Sequence, residues 1–461
     1  MSTIEKVLTR IDAGLDEASG RLIDWLKIPS ISTDSRYADD MRRAAAWLVE
    51  DLKTLGFEAE PRETGGHPVV YARSPSRPGK KRVLFYGHYD VQPVDPLSAW
   101  KNPPFEAKIA TLPDGRQAFL GRGSSDDKGQ TRTFLEALRA FKAETGEFPV
   151  DVTVLVEGAE EDGSKFLPEY VEAHKDELAA DVALVCDTGR WNEDTPCITT
   201  SLRGLLYTEI VVHCANRDLH SGHYGGSAQN PIHVLARIIA DLHDDNGAVT
   251  IPHFYDGVPE TPPDILEQWK RIGMTPESYL GPIGLKYPSG EKDRMLIELM
   301  QSRPCCDANG IIGGYTGEGT KTVIAAEARA KVSMRLVGDQ DPEKIAANFE
   351  AFIRERIPAD CSYELIVHKG SRAVALPYDM PELALAREAL KEEWTREPVV
   401  IGIGGSIGII GSFRYVLGLN VLLVGWALED DCIHSPNEKY DVRSFHKGMR
   451  SWARILERLG G

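Results

Sequence analysis

Short hydrophobic runs alternate with amphipathic stretches over the first part of the chain. The runs at 83–86, 152–156 and 182–185 are rich in β-branched and aromatic residues, which predicts buried strands. Apolar residues recur at helical spacing in the stretch that starts at Gln130, and also over 1–28, which we expect to form one helix. This alternation is typical of an α/β fold in which helices flank a central mixed sheet.

The pattern changes near residue 205 and changes back near residue 373. Between these points, strands such as 205–212 and 327–337 are mixed with helices such as 342–356, which predicts an inserted α+β domain. A chain of 461 residues also exceeds what one core usually organises. We therefore predict a first α/β part at 1–204, an inserted domain at 205–372 and a second α/β part at 373–461.

A histidine and an aspartate follow the first buried run. His88 and Asp90 lie just past its carboxyl end, where ligand sites collect in open α/β sheets. A metal-bound imidazole normally donates its second N–H to an acceptor, and Asp90 has suitable spacing for that role. Taken alone, such a pair is more often a polar pair of the surface or core than part of a metal site.

Carboxylates recur in two turns that contain glycine and serine. The turn at 121–129 carries Asp126 and Asp127 at a predicted helix start, where helix capping is the ordinary alternative to metal binding. The turn at 157–164 holds four carboxylates within six residues. Like charges at this density favour a bound cation, although a solvated acidic loop remains possible.

The last two candidates are an aspartate and a histidine in similar settings. Asp187 ends the run at 182–185, and His434 follows a further apolar run at 420–424. Two histidines with several carboxylates and no thiol cluster suit a pair of divalent ions such as zinc, manganese or cobalt better than a structural zinc. The combination, rather than any single residue, predicts a metal centre.

Six short motifs together resemble the M20 metallopeptidases, and in particular their dipeptidase branch. In chain order they are GHYDVQP from Gly87, GRGSSDDKG from Gly121, EGAEEDGS from Glu157, the isolated Asp187, DLHSG from Asp218 and IHSPNEK from Ile433. The resemblance covers nearly the whole chain. It implies a peptide-bond hydrolase in which the two outer segments form the catalytic domain and the inserted domain serves as lid and dimerisation face.

The resemblance also implies a set of metal ligands. Asp126 would bridge two divalent ions, and the remaining ligands would be His88 and Asp187 for one ion and Glu161 and His434 for the other. Zinc is the expected metal, with manganese and cobalt as alternatives.

Two acidic residues take catalytic roles in the family pattern. Asp90 would orient His88, and Glu160 would act as the general base that removes a proton from a water bridging the two ions. The family also carries a cis peptide after the bridging aspartate, which here joins Asp126 to Asp127.

Three more residues are expected to bind substrate. By resemblance, His220 helps to hold the developing oxyanion in the partner subunit's site, and Arg335 contacts the substrate carboxylate. Ser406 precedes a predicted helix whose N–H groups could hold the same carboxylate. Judged alone, His220 is a structural loop histidine and Arg335 a salt-bridged strand arginine, so both interpretations remain open. The resemblance implies a homodimer.

Composition argues against two classes of binding partner and favours one cellular compartment. A net charge of −17 and a pI near 5.3 argue against nucleic acid and anionic membrane surfaces as partners. The chain has no apolar run long enough for a membrane span and no signal-peptide pattern at its start, so we expect a cytoplasmic protein. Seven scattered cysteines fit free thiols in a reducing compartment.

The expected activity is hydrolysis of dipeptides or short peptides with a free C-terminal carboxylate. One alternative is an N-acyl amino acid deacylase or carbamoyl amidohydrolase with the same metal core. A second alternative is a metal-less binding or scaffold protein, which is disfavoured because no expected ligand and no expected base is replaced. The side-chain specificity of the substrate does not follow from the sequence.

Overall fold

The structure of this chain is a computed structural model that describes residues 1–368, 370–404 and 407–461. The backbone divides into two units. The first unit comprises Met1–Thr200, Leu376–Ile401 and Ile407–Gly461, and the second comprises Ser201–Ala375 with a short piece that begins at Gly402. The chain therefore leaves the first unit at Ser201 and returns to it at Leu376, and it leaves the first unit again for the short piece that begins at Gly402.

The elements follow in chain order. The helices before the insertion are α1 (Thr3–Ala13), α2 (Leu15–Leu26), α3 (Ala38–Thr54), α4 (Lys128–Thr145) and α5 (Leu167–Ala173). The strands there are β1 (Glu58–Arg62), β2 (Val69–Arg73), β3 (Arg82–His88), β4 (Lys108–Thr111), β5 (Gln117–Leu120), β6 (Asp151–Glu157), β7 (Val182–Val185) and β8 (Cys197–Leu202). The insertion contains the strands β9 (Gly204–His213), β10 (Leu219–His220), β11 (Cys305–Gly313), β12 (Val323–Ile324), β13 (Glu327–Leu336), β14 (Ser362–Val367) and β15 (Val374–Ala375). Its helices are α6 (Ser221–Tyr224), α7 (Pro231–Ala240), α8 (Pro263–Ile272), α9 (Pro276–Leu280), α10 (Leu296–Gln301) and α11 (Pro342–Arg354). The last part contains α12 (Pro381–Trp394), β16 (Val399–Ile403), α13 (Gly408–Tyr415), β17 (Asn420–Leu423), β18 (Lys439–Asp441) and α14 (Val442–Gly460).

A mixed sheet forms the centre of the first unit, as the sequence pattern predicts. Its strand order is β1-β2-β6-β3-β7-β17-β8, with β16 paired to β8. β3 runs parallel to both β6 and β7, β17 runs parallel to β7, and β2 pairs antiparallel with β6. Every residue of β3, β6 and β7 is buried, which explains why these strands are almost uninterrupted apolar runs.

Helices cover this sheet through aromatic contacts. Phe85 of β3 stacks on Phe134 of α4 with ring centroids 3.8 Å apart, and Trp452 of α14 meets both rings edge-on. These rings are large apolar surfaces that leave water on folding, so they hold α4 and α14 against the sheet. α4 is the helix that begins directly after the Asp126 turn.

The N-terminal segment differs from the prediction of one helix over 1–28. It forms α1 and α2, which are separated at Gly14. The Gly14 N–H bonds to the carbonyls of Arg10 and Ile11 and closes α1. Buried positions continue on both sides of the break, for example at Val7 and Leu22, so the apolar spacing conceals it. Glycine's low helix propensity is the physical reason for a break at this position.

The second unit is an α+β structure. Its antiparallel sheet has the order β11-β13-β9-β14. Buried and half-buried residues alternate over most of β9, as in a strand that packs one face on the core and turns the other toward solvent. α7 and α11 contribute Leu235 and Phe349 to the apolar core under the sheet. Within the described part of the chain, no helix combines the length and the apolar character needed to cross a membrane.

Candidate metal centre

The five predicted ligands all belong to the first unit, and loops at the strand ends carry most of them. His88 is the last residue of β3, Asp187 follows β7, and Glu161 lies in the turn after β6. Because β6, β3 and β7 are adjacent and parallel, their carboxyl ends lie at one edge of the sheet. Asp126 lies in the turn before α4, and His434 lies in the loop before β18.

The donor atoms form two groups that share one aspartate. His88, Asp126 and Asp187 form the first group, Asp126, Glu161 and His434 form the second, and the donor atoms within each group lie within 4.8 Å of one another. Asp126 Oδ1 is 3.0 Å from His88 Nε2, and Asp126 Oδ2 is 2.9 Å from His434 Nε2. Each oxygen of this carboxylate thus faces a different histidine, as in a carboxylate that bridges two cations.

Several ionisable groups at the centre have shifted pKa values, because they lie close to one another and are at least partly buried. Burial, followed by repulsion from Asp126, raises the pKa of Asp187 well above its usual range. Burial opposes ionisation of Asp126 too, yet hydrogen bonds from His434 and His88 hold its pKa below the usual range. Hydrogen bonds to Asp126 and Glu161 raise the pKa of His434 to about 10. Carboxylates this close to imidazole nitrogens fit divalent cations, and this mixed N/O donor set suits zinc, manganese or cobalt.

Asp90 contacts both sides of the centre. Its carboxylate lies 3.4 Å from His88 Nδ1, and its backbone oxygen lies 3.1 Å from the same nitrogen. The two carboxylate oxygens also accept the backbone N–H groups of Glu160 at 3.2 Å and Glu161 at 3.0 Å. An acceptor at Nδ1 fixes the ring so that Nε2 faces Asp126. These contacts fit the predicted role of Asp90 in orienting His88 and, beyond what the sequence indicates, join Asp90 to the backbone of both glutamates.

Glu160 lies beside the donor groups without belonging to either. Its carboxylate accepts no hydrogen bond and forms no ion pair within residues 1–368, 370–404 and 407–461. Burial, with added repulsion from nearby carboxylates such as Glu161, raises its pKa to about 7. A carboxyl group with these properties can exchange protons near neutral pH, which is what a general base requires.

Other side chains support the ligands, and the sequence did not reveal their roles. Gln92 Nε2 donates to Glu161 Oε2 at 2.7 Å. Asp127 Oδ2 accepts the backbone N–H of His88 at 3.1 Å, and the expected cis peptide joins Asp126 to Asp127. Glu438 is fully buried and accepts the N–H of Asp126 at 3.1 Å. Gln92 and Glu438 both stand in the quoted motifs, but their partners are 69 and 312 residues away along the chain.

The three residues predicted to contact substrate lie in different parts of the chain, and the structure describes two of them. His220 ends β10 in the second unit, is exposed, accepts the N–H of Gly222 at 3.0 Å through Nδ1, and stacks on His223. Arg335 lies partly buried on β13, in register with Cys305 of β11 and Leu205 of β9. Ser406 lies outside the described residues.

Comparison with known proteins agrees with the motifs. The model of peptidase family M20/M25/M40 matches residues 84–458. A Cys-Gly metallodipeptidase of Schizosaccharomyces pombe is 30% identical over 477 residues, which covers 99% of this chain and 98% of that protein. The human Beta-Ala-His dipeptidase is 29% identical over 472 residues, which covers 98% of this chain and 91% of that protein.

A solved structure shares the fold over nearly the full length. It is an M20 family metallo-carboxypeptidase from Sulfolobus solfataricus, with a TM-score of 0.78, 32% identity, and coverage of 96% of this chain and 99% of that chain. The resemblance predicted from the motifs is confirmed, and the chain belongs to peptidase family M20/M25/M40.

Proposed function

We propose that this enzyme is a dinuclear metal-dependent dipeptidase, which cleaves dipeptides or short peptides that have a free C-terminal carboxylate. The observation that carries the proposal is the sharing of Asp126 between two donor groups, with Glu160 beside them. The names of the relatives, a Cys-Gly metallodipeptidase and a Beta-Ala-His dipeptidase, support dipeptides as substrates.

The two donor groups would hold one divalent ion each. His88, Asp126 and Asp187 would bind the first ion, and Asp126, Glu161 and His434 would bind the second. Zinc is the metal that we propose, with manganese and cobalt as the alternatives for the same donors. Bound cations of this kind act as Lewis acids that polarise a carbonyl and make water more acidic.

Glu160 would transfer a proton during hydrolysis, and Asp90 would hold Glu160 in position. Glu160 takes a proton from the attacking water, whose oxygen bonds to the scissile carbonyl carbon, and then gives this proton to the leaving amine nitrogen as the C–N bond breaks. A well-placed acid–base group of this kind accelerates a reaction by ~10²–10⁴-fold. Asp90 keeps Glu160 in place through its bond to the Glu160 N–H at 3.2 Å.

The second unit would supply substrate recognition. We assign to it the roles of lid and dimerisation face in a homodimer, with His220 holding the oxyanion in the partner subunit's site and Arg335 contacting the substrate carboxylate. Ser406 would contact the same carboxylate. The partly buried position of Arg335 on a strand and the exposure of His220 are compatible with these roles. The net charge of −17 argues against nucleic acid and anionic membrane surfaces as partners. The seven free cysteines support the cytoplasmic location that we propose, because thiols stay reduced in that compartment.

One further substrate class has support from a comparison. The metallo-carboxypeptidase from Sulfolobus solfataricus is 32% identical over nearly the full chain, which favours removal of C-terminal residues from longer peptides as the second candidate activity. The same metal core would also serve the deacylase and carbamoyl amidohydrolase activities.

A substrate panel tests these proposals. The purified protein is stripped with a chelator, reloaded with zinc, manganese or cobalt, and assayed on dipeptides, longer peptides, and N-acetyl, N-succinyl and N-carbamoyl amino acids. We expect two equivalents of metal per chain and metal-dependent release of amino acids from dipeptides. Each dipeptide is paired with its C-terminal amide, which should be a much poorer substrate because it lacks the carboxylate.

The other outcomes are distinguishable. Faster cleavage of long peptides would assign the carboxypeptidase activity, and turnover of the acylated compounds alone would assign the deacylase activity. One equivalent of metal in the fully active enzyme would contradict the dinuclear mechanism.

A further inference from the structure

Backbone N–H groups of the turn that leads to Asp126 donate hydrogen bonds to one carboxylate, that of Glu438. Glu438 Oε2 accepts the N–H of Gly123 at 2.9 Å, and Glu438 Oε1 accepts the N–H groups of Ser125 at 2.9 Å and Asp126 at 3.1 Å. Three backbone donors from four consecutive residues thus converge on one side chain. Because Glu438 is fully buried, water does not replace these bonds if the carboxylate is lost.

A buried arginine completes the surroundings of this carboxylate. Arg122 Nη1 donates to Glu438 Oε2 at 2.8 Å, and Arg122 Nη2 donates to the carbonyl of Pro93 at 3.1 Å. The negative charge of Glu438 is therefore paired within the protein. With four hydrogen bonds accepted, this carboxylate is engaged by the turn and is not one of the donors of the two metal groups.

The residue before Glu438 secures the same loop at a second place. Asn437 has a φ of 68°, and its side chain accepts the N–H of Lys101 at 2.7 Å and donates to the carbonyl of Ala99 at 2.9 Å. The loop that carries His434 is thus hydrogen-bonded to the 99–101 segment through Asn437 and to the Asp126 turn through Glu438. His434 precedes Glu438 by four residues.

We propose that Glu438 is a positioning residue that holds Asp126 in place relative to His434, so that both donor groups form together. This inference rests on the proposed metal centre, because its consequence is the affinity for metal. Asp126 belongs to both groups, so a displaced Asp126 turn weakens both of them.

The test is Glu438→Gln, which keeps the size of the side chain but replaces one acceptor oxygen with an N–H₂ donor. That donor faces either two backbone N–H groups or one N–H group and the guanidinium of Arg122. In metal-free protein, hydrogen–deuterium exchange of the peptide 121–130 should become about tenfold faster, since protection depends on these bonds. Zinc affinity, measured against a competing chelator, should fall ~10–100-fold for both ions.

Two further measurements separate positioning from general stability. At saturating metal, we expect kcat to fall while KM stays within about twofold, as for an interaction needed only in the transition state. Glu438→Asp restores the charge but is one methylene shorter, and it should recover part of the zinc affinity. It also keeps the test decisive if Glu438→Gln does not fold.

The matched control is Glu298→Gln in the second unit. Glu298 is also a buried carboxylate that accepts a backbone N–H, from Met295 at 2.9 Å, and pairs with Arg294. Its replacement should lower Tm but leave zinc affinity and exchange of 121–130 unchanged. If Glu438→Gln behaves in the same way, the inference is wrong. If the parent protein binds no divalent ion, the proposed function itself is wrong.

Discussion

We expect replacement of Glu160 by glutamine to reduce turnover while leaving metal binding intact. Glu160 belongs to neither donor group, and no residue in the described part of the chain donates a hydrogen bond to its carboxylate. The substitution therefore removes one acid–base group without breaking a contact. Loss of a general base costs ~10²–10⁴ in kcat, which corresponds to about 3–5 kcal/mol of transition-state stabilisation. Both metal affinities should stay within about threefold of the parent values, since the donors are unchanged.

The neighbouring residue provides the control. Glu161 belongs to a donor group, lies 3.1 Å from His434 and accepts a bond from Gln92. Glu161→Gln should therefore lose metal as well as turnover. The assay measures kcat on a dipeptide at saturating metal, with metal content determined on the same samples. A Glu160→Gln enzyme that turns over nearly as fast as the parent, with two ions bound, would refute the role of Glu160 as the base.

Three more changes test other parts of the first unit. Asp126→Asn should reduce metal content from two equivalents to nearly none, measured by elemental analysis after gel filtration, because both donor groups lose their shared carboxylate. Gly129→Ala should lower the free energy of unfolding by ~1–3 kcal/mol in denaturant melts, since its Cβ would lie 1.8 Å from the Ser124 carbonyl oxygen. Burial raises the pKa of Glu157 from 4.5 to about 8, so between these values the folded state keeps a proton that the unfolded state releases. Glu157 should therefore make the stability of the metal-free protein fall with rising pH by up to ~1.4 kcal/mol per unit. Glu160 and Asp187, whose pKa values are also raised, add to this slope, so Glu157→Gln should reduce the slope by the Glu157 contribution without abolishing it.

The sequence was most informative where the chemistry follows directly from a local pattern. β3 and β7 are continuous apolar runs, and His88 and Asp187 stand at or just after their ends. Adjacent parallel strands bring such residues to one sheet edge, so proximity in space follows from position along each strand. This is why both residues could be proposed as ligands before the strand order was known.

Contacts between distant segments could not be predicted in the same way. The bond from Asp126 N–H to Glu438 joins residues 312 positions apart, and no periodicity in the chain specifies it. The bonds of the Asp90 carboxylate to the N–H groups of Glu160 and Glu161 depend on how two loops meet. At the N-terminus, apolar spacing continues across Gly14, so the pattern concealed a break that backbone hydrogen bonds define.

The place of β17 in the sheet has a consequence for biosynthesis. β17 lies between β7 and β8, yet β8 ends at Leu202 whereas β17 begins at Asn420. A nascent chain therefore carries β7 and β8 before the strand that lies between them has been translated, whereas the main segment of the second unit, Ser201–Ala375, has already been synthesised and can begin to fold. His434 emerges later still. The chain must therefore be synthesised beyond His434 before the sheet closes and the five predicted metal ligands can come together, so we expect a nascent chain that lacks this part to have no peptidase activity.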